Sequence, residues 1–188
     1  MVVDKAEYES TKKSLADSVV VILVECRCNK LAQKITELRA SSRILVVSLN
    51  PGVQEWLTNI GIESQSYDDC ERLHRKDPHK QVLSLLQGLS SAKTRQGKTL
   101  EELLTHDGFS LWWSIRESLY YRLDEIVGRI NTIDEVVKKE RPAEVIFYGK
   151  SVLWMNIIKL VANRNGILVS CVCMTSLRTM LLRELGAG

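Results

Sequence analysis

Val19-Val20-Val21-Ile22-Leu23-Val24, then Leu31, Ile35 and Leu38 at helical spacing, then Arg43-Ile44-Leu45-Val46-Val47-Ser48-Leu49, is the stretch that decides the fold class. A continuous β-branched run without polar alternation fits a strand covered on both faces, as in parallel sheets. The helical stretch Cys28 to Ala40 between the two runs supplies the crossover that parallel strands need. Asn50-Pro51 places an N-cap before a proline at the first helical position. That helix runs through Trp56-Leu57 to Ile60 and stops at Gly61, a C′ glycine. Ile62 to Tyr67 reads as a weaker third strand of alternating character. The order β-α-β-α-β argues for a parallel sheet with right-handed crossovers.

The same alternation returns late in the chain. Glu144 to Tyr148 reads as a strand, Ser151 to Asn163 as a helix stopped by Gly166, Ile167 to Cys173 as a strand and Ser176 to Leu185 as a last helix. Asp4 to Asp17 is a polar lead-in. In the middle, Asp68-Asp69 can cap a short charged segment ending near Pro78, and Lys80 to Ala92 carries Val82, Leu85, Leu86 and Leu89. Ser90 to Lys98 reads as a loop, and Thr99 with Glu102 forms a capping box for a helix to His106. Asp107-Gly108 is expected to open the longest element. In it Trp112, Ile115, Leu119, Leu123, Ile126, Ile130, Ile133 and Val137 recur at steps of three or four, and Arg141-Pro142 ends it. The expected fold is α/β: a Rossmann-like three-layer α/β/α sandwich of about five parallel strands. A helical insert with one long helix stands between its third and fourth strands. Residues 1–188 are expected to form a single domain, with 18–67 as its first half, 68–141 as the insert and 142–188 as the second half.

Composition narrows the function classes. The 188 residues carry 26 Lys+Arg against 23 Asp+Glu, a net charge of +3, and are 45% apolar, which excludes disordered, collagen-like and purely coiled-coil chains. The longest apolar run is six residues, Val19 to Val24, far short of the roughly 18 that span a bilayer. Met1–Ser18 is polar and of mixed charge, without a signal peptide, so a cytoplasmic protein without a membrane span is expected. The modest charge, and the lack of aromatics interleaved with lysines, disfavour a nucleic-acid partner. The five cysteines are an odd number, which speaks against a disulfide framework. Cys26/Cys28 and Cys171/Cys173 each share a strand face, but buried structural thiols are the expectation. Cys70, His74 and His79 have a zinc-compatible spacing without a fourth ligand, and a charged surface segment with Arg72, Arg75, Lys76 and Lys80 explains them more simply. No metal and no cofactor is expected.

In open parallel sheets, ligands bind beyond the carboxyl ends of the strands, where strand order reverses. Those ends are Glu25-Cys26-Arg27-Cys28-Asn29 and Tyr148-Gly149-Lys150-Ser151. Gly149 lets backbone approach a ligand, Ser151 can cap the next helix, free amides there attract anions, and Lys150 adds a charge. The candidate ligand-binding residues are therefore Tyr148, Gly149, Lys150, Ser151, Glu25, Arg27 and Asn29. Glu144 stands where a Walker A loop needs its first glycine, and Gly-x-Gly-x-x-Gly is absent after the first strand, so neither nucleotide fingerprint is present. His106 and Asp107 are weaker candidates for an acid–base pair. Trp113, Tyr120 and Tyr121 fall off the apolar stripe of the long helix and either line a groove or pack.

Asp107-Gly108-Phe109-Ser110-Leu111-Trp112-Trp113, the Tyr120-Tyr121 helix and Arg141-Pro142-Ala143-Glu144-Val145-Ile146-Phe147-Tyr148-Gly149 resemble the amino-terminal halves of GT-B-type proteins of surface-polysaccharide biosynthesis. In those proteins a Gly-x-Ser-Leu-Trp-Trp helix start is followed by a long helix, a Lys-Pro-Asp-x-Val segment and a strand. The resemblance spans Val19 to Cys173, and its specific part runs from Asp107 to Gly149. It implies a glycosyltransferase-like or sugar-nucleotide-processing protein, with this Rossmann-like domain contributing the acceptor side of a cleft that takes a sugar or sugar nucleotide. It also implies a second Rossmann-like domain, C-terminal to this chain or on a separate subunit, and a chain that is half of a machine and inactive alone. On that resemblance Tyr148, Gly149 and Lys150 stand at the cleft with Glu25 to Asn29 beside them, and no catalytic base carries over. The rival expectation is a non-catalytic α/β ligand-binding or dimerisation module. Its homodimer would form along the long helix, where Leu119, Leu123, Ile126, Ile130, Ile133 and Val137 step like an a/d seam.

Overall fold

The computed structural model describes residues 18–74 and 76–173. The lead-in Asp4–Asp17, Arg75, the side chain of Cys173 and the expected helix Ser176–Leu185 lie outside the described residues. In chain order the elements are β1 (Val19–Val24), α1 (Asn29–Arg39), β2 (Arg43–Ser48), α2 (Pro51–Asn59), β3 (Gln65–Ser66), α3 (Tyr67–His74), α4 (His79–Ser91) and α5 (Leu100–Leu103). They continue with β4 (Thr105–His106), β5 (Phe109–Ser110), α6 (Leu111–Glu140), β6 (Glu144–Gly149), α7 (Val152–Asn165) and β7 (Leu168–Cys173).

The main sheet has five parallel strands in the order β3-β2-β1-β6-β7, which is the Rossmann-like α/β arrangement that the alternation of strands and helices predicts. β1 lies at its centre, with Val24 paired to Ser48 on one side and Tyr148 on the other. Val21, Ile22, Leu23 and Val24 are fully buried, so both faces of the strand are covered. One face packs Val20, Ile22, Val24, Val46, Ile146 and Tyr148 against Leu31 and Ile35 of α1 and Val53 and Leu57 of α2. On α7, Trp154, Ile157, Ile158, Val161 and Ala162 are buried. Each fully buried Ile, Leu or Val contributes roughly 1.5–3 kcal/mol of transfer free energy.

Several helix ends follow the expected chemistry. Asn50 Oδ1 accepts the Val53 amide at 2.9 Å. Thr99 and Glu102 complete a reciprocal capping box, Ser151 Oγ accepts the Trp154 amide at 3.2 Å, and Gly166 closes α7 with φ 67°. α6 ends before Pro142, with Arg141 in the left-handed region at φ 47°. Near that end Asp134 accepts hydrogen bonds from Lys138 and Asn165. Burial raises the Asp134 carboxyl, but those two bonds outweigh it and hold the group below its ordinary value.

Four expectations need correction. The third strand is not Ile62 to Tyr67 but only Gln65–Ser66. The Ile62 amide bonds to Leu57 O at 2.9 Å to finish the helix stop, and Tyr67 already begins α3. Ser66 Oγ, rather than Asp68 or Asp69, accepts the Asp68 amide that opens α3. Asp107-Gly108 does not open the long helix. Both residues have positive φ, 49° and 79°, and form the two-residue turn of the β4–β5 hairpin. Positive φ at both central positions is the requirement of a type I′ turn, for which Asp-Gly is a preferred pair. The helix to His106 shrinks accordingly to Leu100–Leu103.

The described residues divide into two compact units, one of residues 18–73 and 133–173 and one of residues 74–132. The second has its own core of Val82, Leu86, Trp112 and Val127, with Leu100, Leu104, Leu119, Tyr120 and Leu123 packed against it. Leu119 and Leu123, two steps of the expected dimer seam, are thus engaged within that core. Ile133 and Val137 are buried as well, while Ile115, on the same stripe, is 40% exposed. The adjacent tryptophans have opposite surroundings, Trp112 at 2% and Trp113 at 61% exposure. Trp112→Ala should therefore cost about 3–5 kcal/mol in urea unfolding, whereas Trp113→Ala should stay within about 0.5 kcal/mol of the parent. Equal losses for the two would contradict this assignment of the core.

Candidate functional site

Strand order reverses beside β1: β2 and β3 extend the sheet to one side, β6 and β7 to the other. The loops that leave β1 and β6 meet at this reversal, because the two strands are paired up to Val24 and Tyr148. Immediately beyond, the Glu25 amide donates to the Tyr148 carbonyl at 2.8 Å and carries the ladder one residue further.

The Glu25 side chain then turns onto the start of α7. Its Oε2 accepts the backbone amide of Lys150 at 2.7 Å and that of Ser151 at 2.8 Å. Those amides belong to the N-cap residue of α7 and the residue before it, and a carboxylate there complements the positive end of the helix dipole. The anion expected at this turn is therefore supplied by the protein itself. Charge-assisted bonds of this kind are the stronger class of protein hydrogen bond.

Two neighbours shape this junction. Asn50 Nδ2 donates to the Glu25 carbonyl at 2.8 Å while its Oδ1 caps α2. One asparagine thus ties the end of β1 to the end of β2, a second role that the Asn-Pro signal alone does not disclose. Gly149 supplies the space. A Cβ there would stand 2.2 Å from Phe147 Cζ and 2.4 Å from Glu25 Oε2. Gly149 is required for close approach, but what approaches is Glu25 and the Phe147 ring.

The structure brings Glu25, Gly149, Lys150 and Ser151 together. Lys150 is exposed. Arg27 is exposed too, and its Nη2 donates to the Gly52 carbonyl at 3.5 Å. Asn29 is the exposed first residue of α1. Tyr148 behaves differently: its side chain belongs to the core cluster beneath α1 and α2, and burial pushes its phenol above the ordinary value. Only its backbone carbonyl reaches the junction. Strand alternation explains this, since Ile146 and Tyr148 share one face of β6 while Val145 and Phe147 occupy the other.

Burial likewise raises the Cys26 thiol, more than the nearby Lys150 lowers it. Such a group is a poor thiolate nucleophile or metal ligand. Cys28 is buried at the N-cap of α1. Among the described residues no group of three His, Cys, Asp or Glu side chains is placed to hold a metal ion. Cys70 is buried, with its Sγ 3.7 Å from Gln65 Oε1, and His79 Nδ1 pairs with the Tyr120 hydroxyl at 2.7 Å. His106 and Asp107 lie in the hairpin of the second unit, 3.4 Å apart, with side chains 90% and 85% exposed. With side chains this exposed, the pair stands in solvent rather than in a water-excluded site.

The Glu25 junction makes two stability predictions. Glu25→Ala leaves the Lys150 and Ser151 amides, just ahead of α7, without their carboxylate and should cost about 1 kcal/mol, with Glu25→Gln nearer the parent. Gly149→Ala forces Phe147 and Glu25 apart and should cost about 1–3 kcal/mol. Denaturant midpoints measure both, and parent-like midpoints for Ala at both positions would refute the junction. No family model and no curated protein matches this chain, so the argument for a function rests on the site.

Proposed function

We propose that the chain is the N-terminal, acceptor-side domain of a cytoplasmic GT-B-like glycosyltransferase or sugar-nucleotide-processing protein of surface-polysaccharide biosynthesis. In this reading it works opposite a second Rossmann-like domain, and catalysis requires both. The observation that carries the reading is the Glu25 carboxylate on the Lys150 and Ser151 amides at the point where strand order reverses. An open α/β sheet offers its ligand crevice at that point. Here the seat that a nucleotide phosphate would use at the start of α7 already holds a fixed negative charge, which disfavours a second anion. What remains around the junction is hydrogen-bonding equipment for a neutral, hydroxyl-rich ligand: the carboxylate of Glu25, the cations of Lys150 and Arg27, and the amide of Asn29.

The division of labour follows from that chemistry. The phosphates of a sugar nucleotide go to the opposing domain, and this domain orients an acceptor saccharide through Arg27, Asn29 and Lys150. Acceptor-type oligosaccharides should then shift the backbone resonances of Cys26 to Asn29 and Gly149 to Ser151, and nucleoside diphosphates alone should not. Lys150→Ala together with Arg27→Ala should weaken saccharide binding roughly tenfold, the loss of one to two hydrogen bonds to charged groups. Shifts caused by a nucleoside diphosphate and not by any saccharide would sink the reading.

A further inference from the structure

β7 is an edge strand of the main sheet, and one of its faces is open to water. The register identifies that face. Glu144 pairs with Leu168, Ile146 with Ser170 and Tyr148 with Val172. Leu168, Ser170 and Val172 therefore lie on the side where Ile146 and Tyr148 join the core beneath α1 and α2. Burial on that side changes from one strand to the next: Ile146 and Tyr148 are both 4% exposed, Val172 is 40% and Leu168 74%. Between the two apolar side chains, Ser170 Oγ is bonded to the Glu144 carboxylate of the neighbouring strand.

Topology explains why the described helices leave this face open. α1 and α2 connect β1 to β2 and β2 to β3, which lie on the far side of β1 from β7. α7 connects β6 to β7 and packs on both strands. A right-handed crossover in that direction lies on the opposite face of the sheet, and none of the α7 residues belongs to the cluster beneath α1 and α2. An edge strand with apolar side chains open to water is a liability that proteins cover with a helix or loop.

The sequence directly after β7 fits this gap. Met174-Thr175-Ser176 has the length usual between a strand and the next helix, and Ser176 suits an N-cap. Leu177, Met180, Leu181 and Leu185 then recur at the spacing of one helix face, with Gly186 as a stop. A helix from Ser176 to Leu185 would be about 15 Å long, against about 13 Å along the strand from Leu168 to Val172. So short a connection holds the segment at an effective concentration on the order of millimolar, which favours it over a second copy of the chain.

We propose that residues 174–188 dock on the open face of β7, with a helix from Ser176 to Leu185 running back along the strand and laying Leu177, Leu181 and Leu185 over Leu168 and Val172. The face is then an internal surface of the chain, covered by the segment that follows the strand. The proposal stands independently of the saccharide reading, because none of these residues belongs to the Glu25 junction.

Urea unfolding and hydrogen exchange of the full chain test it. Leu168→Ser and Leu181→Ser should each lower the folding equilibrium constant roughly tenfold. The double variant should lose clearly less than the product of the two factors, because the two side chains share one contact. A parent-like constant for either single variant would overturn the proposal, since a side chain left in water behaves in that way. Losses that multiply in full would overturn it too. Hydrogen exchange adds a readout on the parent that needs no variant to fold: the amides of residues 180–185 should exchange at least about tenfold more slowly than those of an unfolded chain. Leu168→Ser should remove most of that protection and leave the β1 amides slow. Unprotected amides over 180–185 in the parent would refute the docked helix, and protection indifferent to Leu168→Ser would place it elsewhere. Protection lost on dilution, together with a concentration-dependent dimer, would assign the face to a second copy of the chain instead.

Discussion

Val21, Ile22, Leu23 and Val24 have almost no exposure to water, and the sheet unit depends on keeping them so. A strand in that condition needs hydrogen-bonding partners along both edges and apolar cover on both faces. β2 and β6 provide the edges; α1 and α2 cover one face. Because the next two strands in the sheet run outward from opposite sides of β1, the reversal of strand order has to fall at the carboxyl end of the most buried strand. The candidate site is there as a consequence of burial, independent of any ligand.

The same constraint explains why a charged residue at that point is tolerated. Glu25 follows the buried run immediately and could not be left half-covered without partners. The start of α7 provides two amide donors that no residue within that helix can satisfy, and the carboxylate and the amides resolve each other's deficit. Gly149 permits the approach, and Asn50 holds the chain from the side of β2. The result is a polar junction in which the Glu25 carboxylate occupies the amides of Lys150 and Ser151, with Lys150, Arg27 and Asn29 at the surface.

Much of this was legible in the residues themselves, and the gaps have physical causes. The runs Val19–Val24, Arg43–Ser48 and Glu144–Gly149 have a composition that only doubly covered strands need, and Asn50, Thr99, Ser151 and Gly166 carry their capping chemistry locally. The third strand is shorter than its apolar residues suggest because Ile62 and Tyr67 are both buried without being part of it: Ile62 closes α2, and Tyr67 starts α3 with its ring edge-on to Trp154 at 5.1 Å. Asp107-Gly108 stands directly before the long apolar stripe, yet Asp-Gly is a hairpin turn pair, and flanking strands of two residues leave no periodic signal. The Glu25 bonds could not be found locally at all, since their partners lie 125 and 126 residues away.

α6 shows the remaining ambiguity in its sharpest form. Its apolar residues recur at steps of three or four from Trp112 to Val137, and such a stripe specifies a face but not what covers it. In the structure the stripe serves different ends along its length. Ile115 is exposed; Leu119 and Leu123 complete the core around Val82 and Leu86; Ile133 and Val137 are buried in the unit that holds the sheet. Reading all of it as one seam for a second copy treats a continuous pattern as evidence of a continuous partner. A thirty-residue helix is longer than either core requires, so periodicity alone could not say where one use of the stripe ends and the next begins. At its start the helix exposes Leu111, Trp113 and Ile115 while Trp112 is buried. Leu111 and Ile115 flank the buried Trp112 on one side of the helix and Trp113 flanks it on the other.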